Sequence, residues 1–152
     1  MWFGYETSEV YGITPGFSRD HNNLGSRLNP IWRENGDRYR REWLNAVKRK
    51  PEMIVISSWN DHAEETGIEA VQLLVPIPGR GNEDPFFYEK ITEGYLALKT
   101  GYLENWYYRS ESDSQVYQFH NGKLNKVFDL NSKEIVIVVP DDYFDWAGVQ
   151  RN

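Results

Sequence analysis

Residues 51–70 read PEMIVISSWNDHAEETGIEA. An unbroken apolar run from Met53 to Ile56 follows Pro51 and is too short for a helix, so the sequence predicts a buried strand over 53–58. Just upstream, NGDRYRREWLNAVKRK places Tyr39, Trp43, Ala46 and Val47 at helical spacing. Asn35 or Asp37 stands near its start, and Lys48, Arg49 and Lys50 stand in its last turn, where cations complement the helix dipole. Pro51 stops it. Residues 8–17, SEVYGITPGF, predict an earlier short strand running into a Pro15-Gly16 turn. Strand, helix and strand in that order make the βαβ unit of a parallel sheet, which fixes the class as α/β.

The polar loop SRDHNNLGSRLNP between the first strand and the helix is of the exposed or site-forming kind. After the second strand, a loop with Pro76, Pro78, Gly79 and Gly81 leads into DPFFYEKITEGYLALKTG. There Asp84 is expected to cap a helix with Pro85 at its first position. Phe87, Ile91, Tyr95 and Leu98 line one face, and Gly101 ends it. The remainder changes character: Val116 to His120, then Asn121-Gly122, then Lys123 to Phe128 predict a hairpin with a type I′ turn. EIVIVV at 134–139 predicts a further strand. The expected organisation is two βα units over 1–101 and a small antiparallel β appendage over 102–152.

Composition narrows the function classes. The net charge is −6, and Lys48-Arg49-Lys50 is the one cationic cluster that stands out, which argues against nucleic acid or an anionic membrane as partner. The absence of cysteine removes thiol catalysis, Cys-ligated zinc and disulfides together. No apolar run reaches bilayer-spanning length, and MWFGYETSEV lacks the basic start and apolar centre of a signal peptide. No phosphate loop, dinucleotide fingerprint or G-x-S-x-G elbow occurs, so no cofactor is expected.

In parallel α/β proteins ligands gather where strands end and βα loops converge. Trp59, Asn60, Asp61 and Glu64 fall at that end of strand 53–58. Two carboxylates three residues apart suit glycosidic cleavage, where one acid protonates the leaving oxygen and the other generates the nucleophile. Trp59 offers a face for a sugar ring, and Asn60 offers a donor and an acceptor to hydroxyls. A plainer alternative is a capped helix start, with Asp61 or Asn60 capping and Glu64 in the first turn, favourable to the helix dipole. Glu69 reads as a structural partner and Glu65 as solvated. Asp20-His21 and Asp61-His62 raise the question of a metal, but two pairs on separate loops do not make a ligand set, and Asp20 and His21 suit sugar hydroxyls better. Trp32 and Trp43 read as packing residues and His120 as a surface residue.

The segment SSWNDHAEETGIE resembles the last-strand motif of the retaining endo-α-mannosidases and endo-α-mannanases of glycoside hydrolase family 99 and their WbsX-type relatives. The matching positions are Trp59, Asn60, Asp61, Glu64, Thr66, Ile68 and Glu69. It also looks like the fungal α-1,3-glucanases of glycoside hydrolase family 71, whose corresponding segment begins Trp-Asn-Asp. Pro15-Gly16-Phe17 and Asn35-Gly36 with Tyr39 and Trp43 resemble the strand and helix that precede it in those enzymes. The resemblance covers about residues 8–100. It implies the last two βα units of a (β/α)₈ TIM-barrel-like domain, with Glu64 as general acid/base and Asp61 as the acid that assists the sugar 2-hydroxyl. Trp59, Asn60, His62, Asp20 and His21 become the substrate-binding candidates. Two departures stand out: Asp61 is Glu in the mannosidases, and His62-Ala63-Glu65 replace Trp, His and Gly.

A closed barrel needs roughly 250 residues. The expectation is therefore the carboxyl-terminal part of a longer hydrolase acting on a carbohydrate, or a chain that self-associates; the compartment is left open, an extracytoplasmic one being compatible with a full-length parent enzyme. The competing expectation is a non-catalytic carbohydrate-binding or protein-interaction module, a dead remnant of such an enzyme.

Overall fold

The computed structural model describes residues 10–18, 30–70, 84–131, 134–143 and 150–151. It is a mixed α/β protein that divides into two compact units, residues 1–89 and 90–152.

In the first unit, β1 (Val10–Ile13) and β2 (Met53–Ile56) pair in parallel, in the register Val10 to Met53 through Ile13 to Ile56. The helix α1 (Asp37–Arg49) connects them, as the spacing predicts. A short 3-10 turn at Glu34–Gly36 precedes α1. Gly36 has φ +90°, and a Cβ there would lie 2.4 Å from a ring carbon of Phe87, so both backbone shape and space require glycine. Tyr39, Trp43 and Ala46 are buried on one face of α1. Tyr39 meets Trp43 and Tyr88 edge to face, with ring centroids 6.2 and 5.5 Å apart.

The two faces of this strand pair differ. Arg49 of α1 stacks over the Tyr11 ring at 5.4 Å, and Ile13 is fully buried, so α1 covers the face of Tyr11, Ile13, Ile54 and Ile56. The opposite face carries Val10, Gly12, Met53 and Val55. Met53 is 57% exposed and Val55 45%, and nothing lies within 4 Å of a Cβ built on Gly12. The apolar run of β2 is thus half covered and not an interior strand. Beyond its bonds to β1, its backbone makes no further pairing among the described residues. Pairing continues one residue past β2, where Ser57 N–H donates to Ile13 O at 2.9 Å. Trp43 is buried as expected, whereas Trp32 is 54% exposed and is not a packing residue.

The helix α2 (Phe87–Ala97) starts two residues later than the sequence predicts. Asp84 closes the turn that leads into it, its Oδ1 accepting the Phe86 N–H at 2.9 Å and its carbonyl the Phe87 N–H at 3.1 Å. Gly101, at φ +130°, closes its end through a bond from its N–H to Ala97 O. The division between units falls inside α2, after Glu89, and not after residue 101. The reason lies in the second unit: Tyr95 OH donates to Val138 O at 2.9 Å, and Gly94 packs directly on Ile137.

The second unit holds β3 (Tyr107–Ser110), β4 (Val116–His120), β5 (Lys123–Val127), β6 (Val136–Val139) and β7 (Gln150–Arg151), in the spatial order β6-β3-β4-β5-β7. The predicted hairpin is β4–β5, and Asn121 and Gly122 both have positive φ, as a type I′ turn demands. The sheet is not purely antiparallel: β3 runs parallel to β6, and β5 parallel to β7. Tyr108, Tyr117, Leu124, Ile137 and Val139 form its core with Ile91 and Tyr95 of α2. Burial pushes the Tyr108 phenol up to about 12; the Leu103 N–H that it accepts opposes this shift, and Tyr143 adds to it.

Candidate functional site

The acids sit on a closed loop that leaves the carboxyl end of β2. The neck of the loop is tied by backbone bonds, with Ser58 N–H donating to Thr66 O and Ile68 N–H donating to Ser58 O and Trp59 O. Glu69 N–H donates to Trp59 O at 2.8 Å. The Ser58 and Thr66 hydroxyls lie 2.8 Å apart, and Ser58 Oγ accepts the Asp61 N–H at 3.0 Å. Asp61 O accepts the N–H groups of both Thr66 and Gly67 at 3.1 Å. Residues 62–65 make turns and not an α-helix, and Glu65 has φ +53°. A segment with the sequence of a helix start therefore folds as a turn that reverses onto its own neck.

On that loop, Asp61 and Glu64 are half-buried neighbours. Asp61 Oδ1 accepts the Glu64 N–H at 3.0 Å, the bond a capped helix start would make, although no helix follows it here. The same bond fixes the Asp61 carboxylate against the backbone of the residue that carries the second acid. Trp59 is 54% exposed, and Asn60 beside it is also exposed. His62 Nε2 lies 3.2 Å from Glu69 Oε2, which makes Glu69 the structural partner expected and occupies one nitrogen of His62. Glu65 is half-buried, not solvated, with an oxygen enclosed. Asp20 and His21 lie outside the described residues. Among the described residues no three His, Asp or Glu side chains converge as metal ligands.

The chain leaving β1 meets this loop. Ser18 N–H donates to Glu64 O at 2.9 Å, and Phe17 bridges to Ile31 in both directions. Two residues further, Arg33 is buried and its Nη2 donates to Glu65 O at 2.5 Å and Gly67 O at 2.7 Å. Its guanidinium lies over the Tyr88 ring at 4.6 Å. Sequence reasoning missed Arg33, because an arginine between Trp32 and Glu34 reads as a surface cation. It also missed the Ser58–Thr66 hydroxyl pair. The spacing of eight residues between two small hydroxyls across an acidic turn is the signal that was there to find. Trp32, on the β1–α1 connection, adds a second exposed indole to the loops of this unit.

Chemically, the loop presents an indole face, an amide and two carboxyl groups within six consecutive residues, held by a dense set of backbone bonds. No protein-family model and no curated protein matches this chain.

Proposed function

We propose that this chain is a glycoside hydrolase-like protein whose Asp61–Glu64 loop is the carboxyl-end site of a (β/α)₈-type arrangement. Glu64 is the general acid/base, Asp61 the assisting acid and Trp59 the platform for a sugar ring. The observation that carries the reading is the Asp61 Oδ1 bond to the Glu64 N–H, which keeps both acids on one rigid turn beside an exposed indole at the end of a parallel strand. Preorganised groups at that position are what acid/base cleavage of a glycosidic bond requires.

The barrel part of the reading draws support from the two unlike faces of the β1–β2 pair. In a barrel the helices lie outside and apolar side chains of the strands fill the interior. Val10, Met53 and Val55 lie on the face away from α1, and among the described residues no strand pairs with the outer edge of β2. Parallel sheets have both faces covered, so strands from elsewhere in a longer enzyme, or from another copy, complete it.

The alternative is a non-catalytic carbohydrate-binding or protein-interaction module, and the capping bond itself favours it: Asp61 already has a structural occupation. A glycan hydrolysis screen, run on this chain and on a version complemented with the missing strands, separates the two. Cleavage lost in both Asp61→Asn and Glu64→Gln, with binding kept, establishes the hydrolase; binding without cleavage of any linkage establishes the module.

A further inference from the structure

We infer that Arg33 is the positioning residue of the acid-bearing loop, a fork that sets the turn on which Asp61 and Glu64 stand. Its Nη2 holds two carbonyls of that turn, Glu65 O and Gly67 O, in one grip. Thr66 N–H, in the same peptide unit as Glu65 O, donates to Asp61 O, so the grip reaches the first acid through a single peptide unit. On the other side, the Arg33 Cγ lies where Gly16 would carry a Cβ, 2.7 Å from that position, so the guanidinium stem is wedged against the exit of β1.

Arg33 is a poor choice for stability alone. Its side chain is buried, its Nη1 is enclosed without a hydrogen-bond acceptor, and among the described residues no carboxylate pairs with it. A buried cation offset, among the described residues, by two carbonyls and a ring is expensive, and an apolar residue of similar volume at such a site is often neutral or stabilising. What the apolar residue lacks is a pair of donors in a fixed plane. Stability and loop geometry therefore separate at this position. Replacement relieves the buried charge, and the turn opens to let its two carbonyls find water.

The test is Arg33→Met in the full chain, followed by hydrogen exchange and thermal unfolding, with Arg33→Lys as the variant that keeps the charge but not the fork. The expected result is a melting temperature within about 2 °C of wild type, because the relieved charge offsets the lost bonds. The Thr66, Gly67 and Ile68 amides exchange about tenfold faster while α1 and β2 keep their protection. Arg33→Lys loosens the same amides. Unchanged exchange at 66–68, protection lost evenly through α1 and β2, or full protection in Arg33→Lys each overturns the assignment. The consequence for chemistry rests on the hydrolase reading: Arg33→Met then lowers kcat by about tenfold with KM within about twofold. Wild-type protein that cleaves nothing, both alone and complemented with the further strands, refutes that reading and leaves the exchange result to decide Arg33.

Discussion

Asp61 has two candidate occupations, and one atom distinguishes them. Its Oδ1 accepts the Glu64 N–H at 3.0 Å, a bond that needs a carbonyl-type oxygen but no charge. Asparagine supplies that oxygen; alanine does not. The backbone carbonyl of Asp61, which holds Thr66 and Gly67, is the same in all three proteins. Removing a cap of this kind costs about 1 kcal/mol, while Asn in place of Asp costs a few tenths at most. With a urea dependence of about 2 kcal/mol per molar, Asp61→Ala lowers the unfolding midpoint by about 0.5 M and Asp61→Asn by about 0.1 M. Urea titration followed by tryptophan fluorescence reads this directly, because Trp43 is buried in the same unit. The hydrolase reading adds that Asp61→Asn, stable as it is, loses about 10²-fold or more in glycan cleavage, since a carboxylate that takes a proton has been removed. A midpoint shift in Asp61→Asn as large as in Asp61→Ala would refute the capping geometry. Full cleavage by Asp61→Asn would refute the catalytic role and leave a turn that is only a turn.

On the proposed carbohydrate reading, Trp59→Ala weakens oligosaccharide binding by about tenfold, measured by calorimetry, with the unfolding midpoint unchanged because the indole is more than half exposed. In the second unit, Gly94→Ala places a Cβ 2.5 Å from Ile137 Cδ1 and costs about 1–3 kcal/mol; adding Ile137→Val removes that methyl and recovers part of the loss in thermal melts. Tyr108 makes stability pH-dependent at the alkaline end. Its folded pKa, about 12, lies above the unfolded value near 10, so its contribution is complete below pH 10 and is lost as pH rises toward 12. The loss is on the order of 2 kcal/mol, and Tyr108→Phe flattens that limb of a pH–stability profile.

The βαβ unit was legible because helical spacing at Tyr39, Trp43 and Ala46 and the stop at Pro51 are local properties. The hairpin was legible for the same reason, through the Asn121-Gly122 turn. The covering of β2 was not, since Met53 to Ile56 are uniformly apolar and no periodicity tells which face has a neighbour. Nor was β3: Tyr107-Tyr108-Arg109-Ser110 carries no clear alternation, and its parallel pairing to β6 joins segments far apart in the chain. At the site, the acids and the indole were visible as residue types, and the capping alternative was visible as spacing. The turn without a helix was not, because it depends on Ser58, Thr66 and Arg33 reaching across the loop.

The pairing of Val10 with Met53 sets an order of events during folding. Hairpin β4–β5 closes over two residues and needs nothing beyond its own turn. The parallel pair waits until α1 has formed and carried the chain back, which costs more closure entropy and takes longer. The acid-bearing loop hangs from that later pairing, through Ser57 N–H to Ile13 O and Ser18 N–H to Glu64 O, so its shape is tied to the closure of the parallel pair and not to the hairpin.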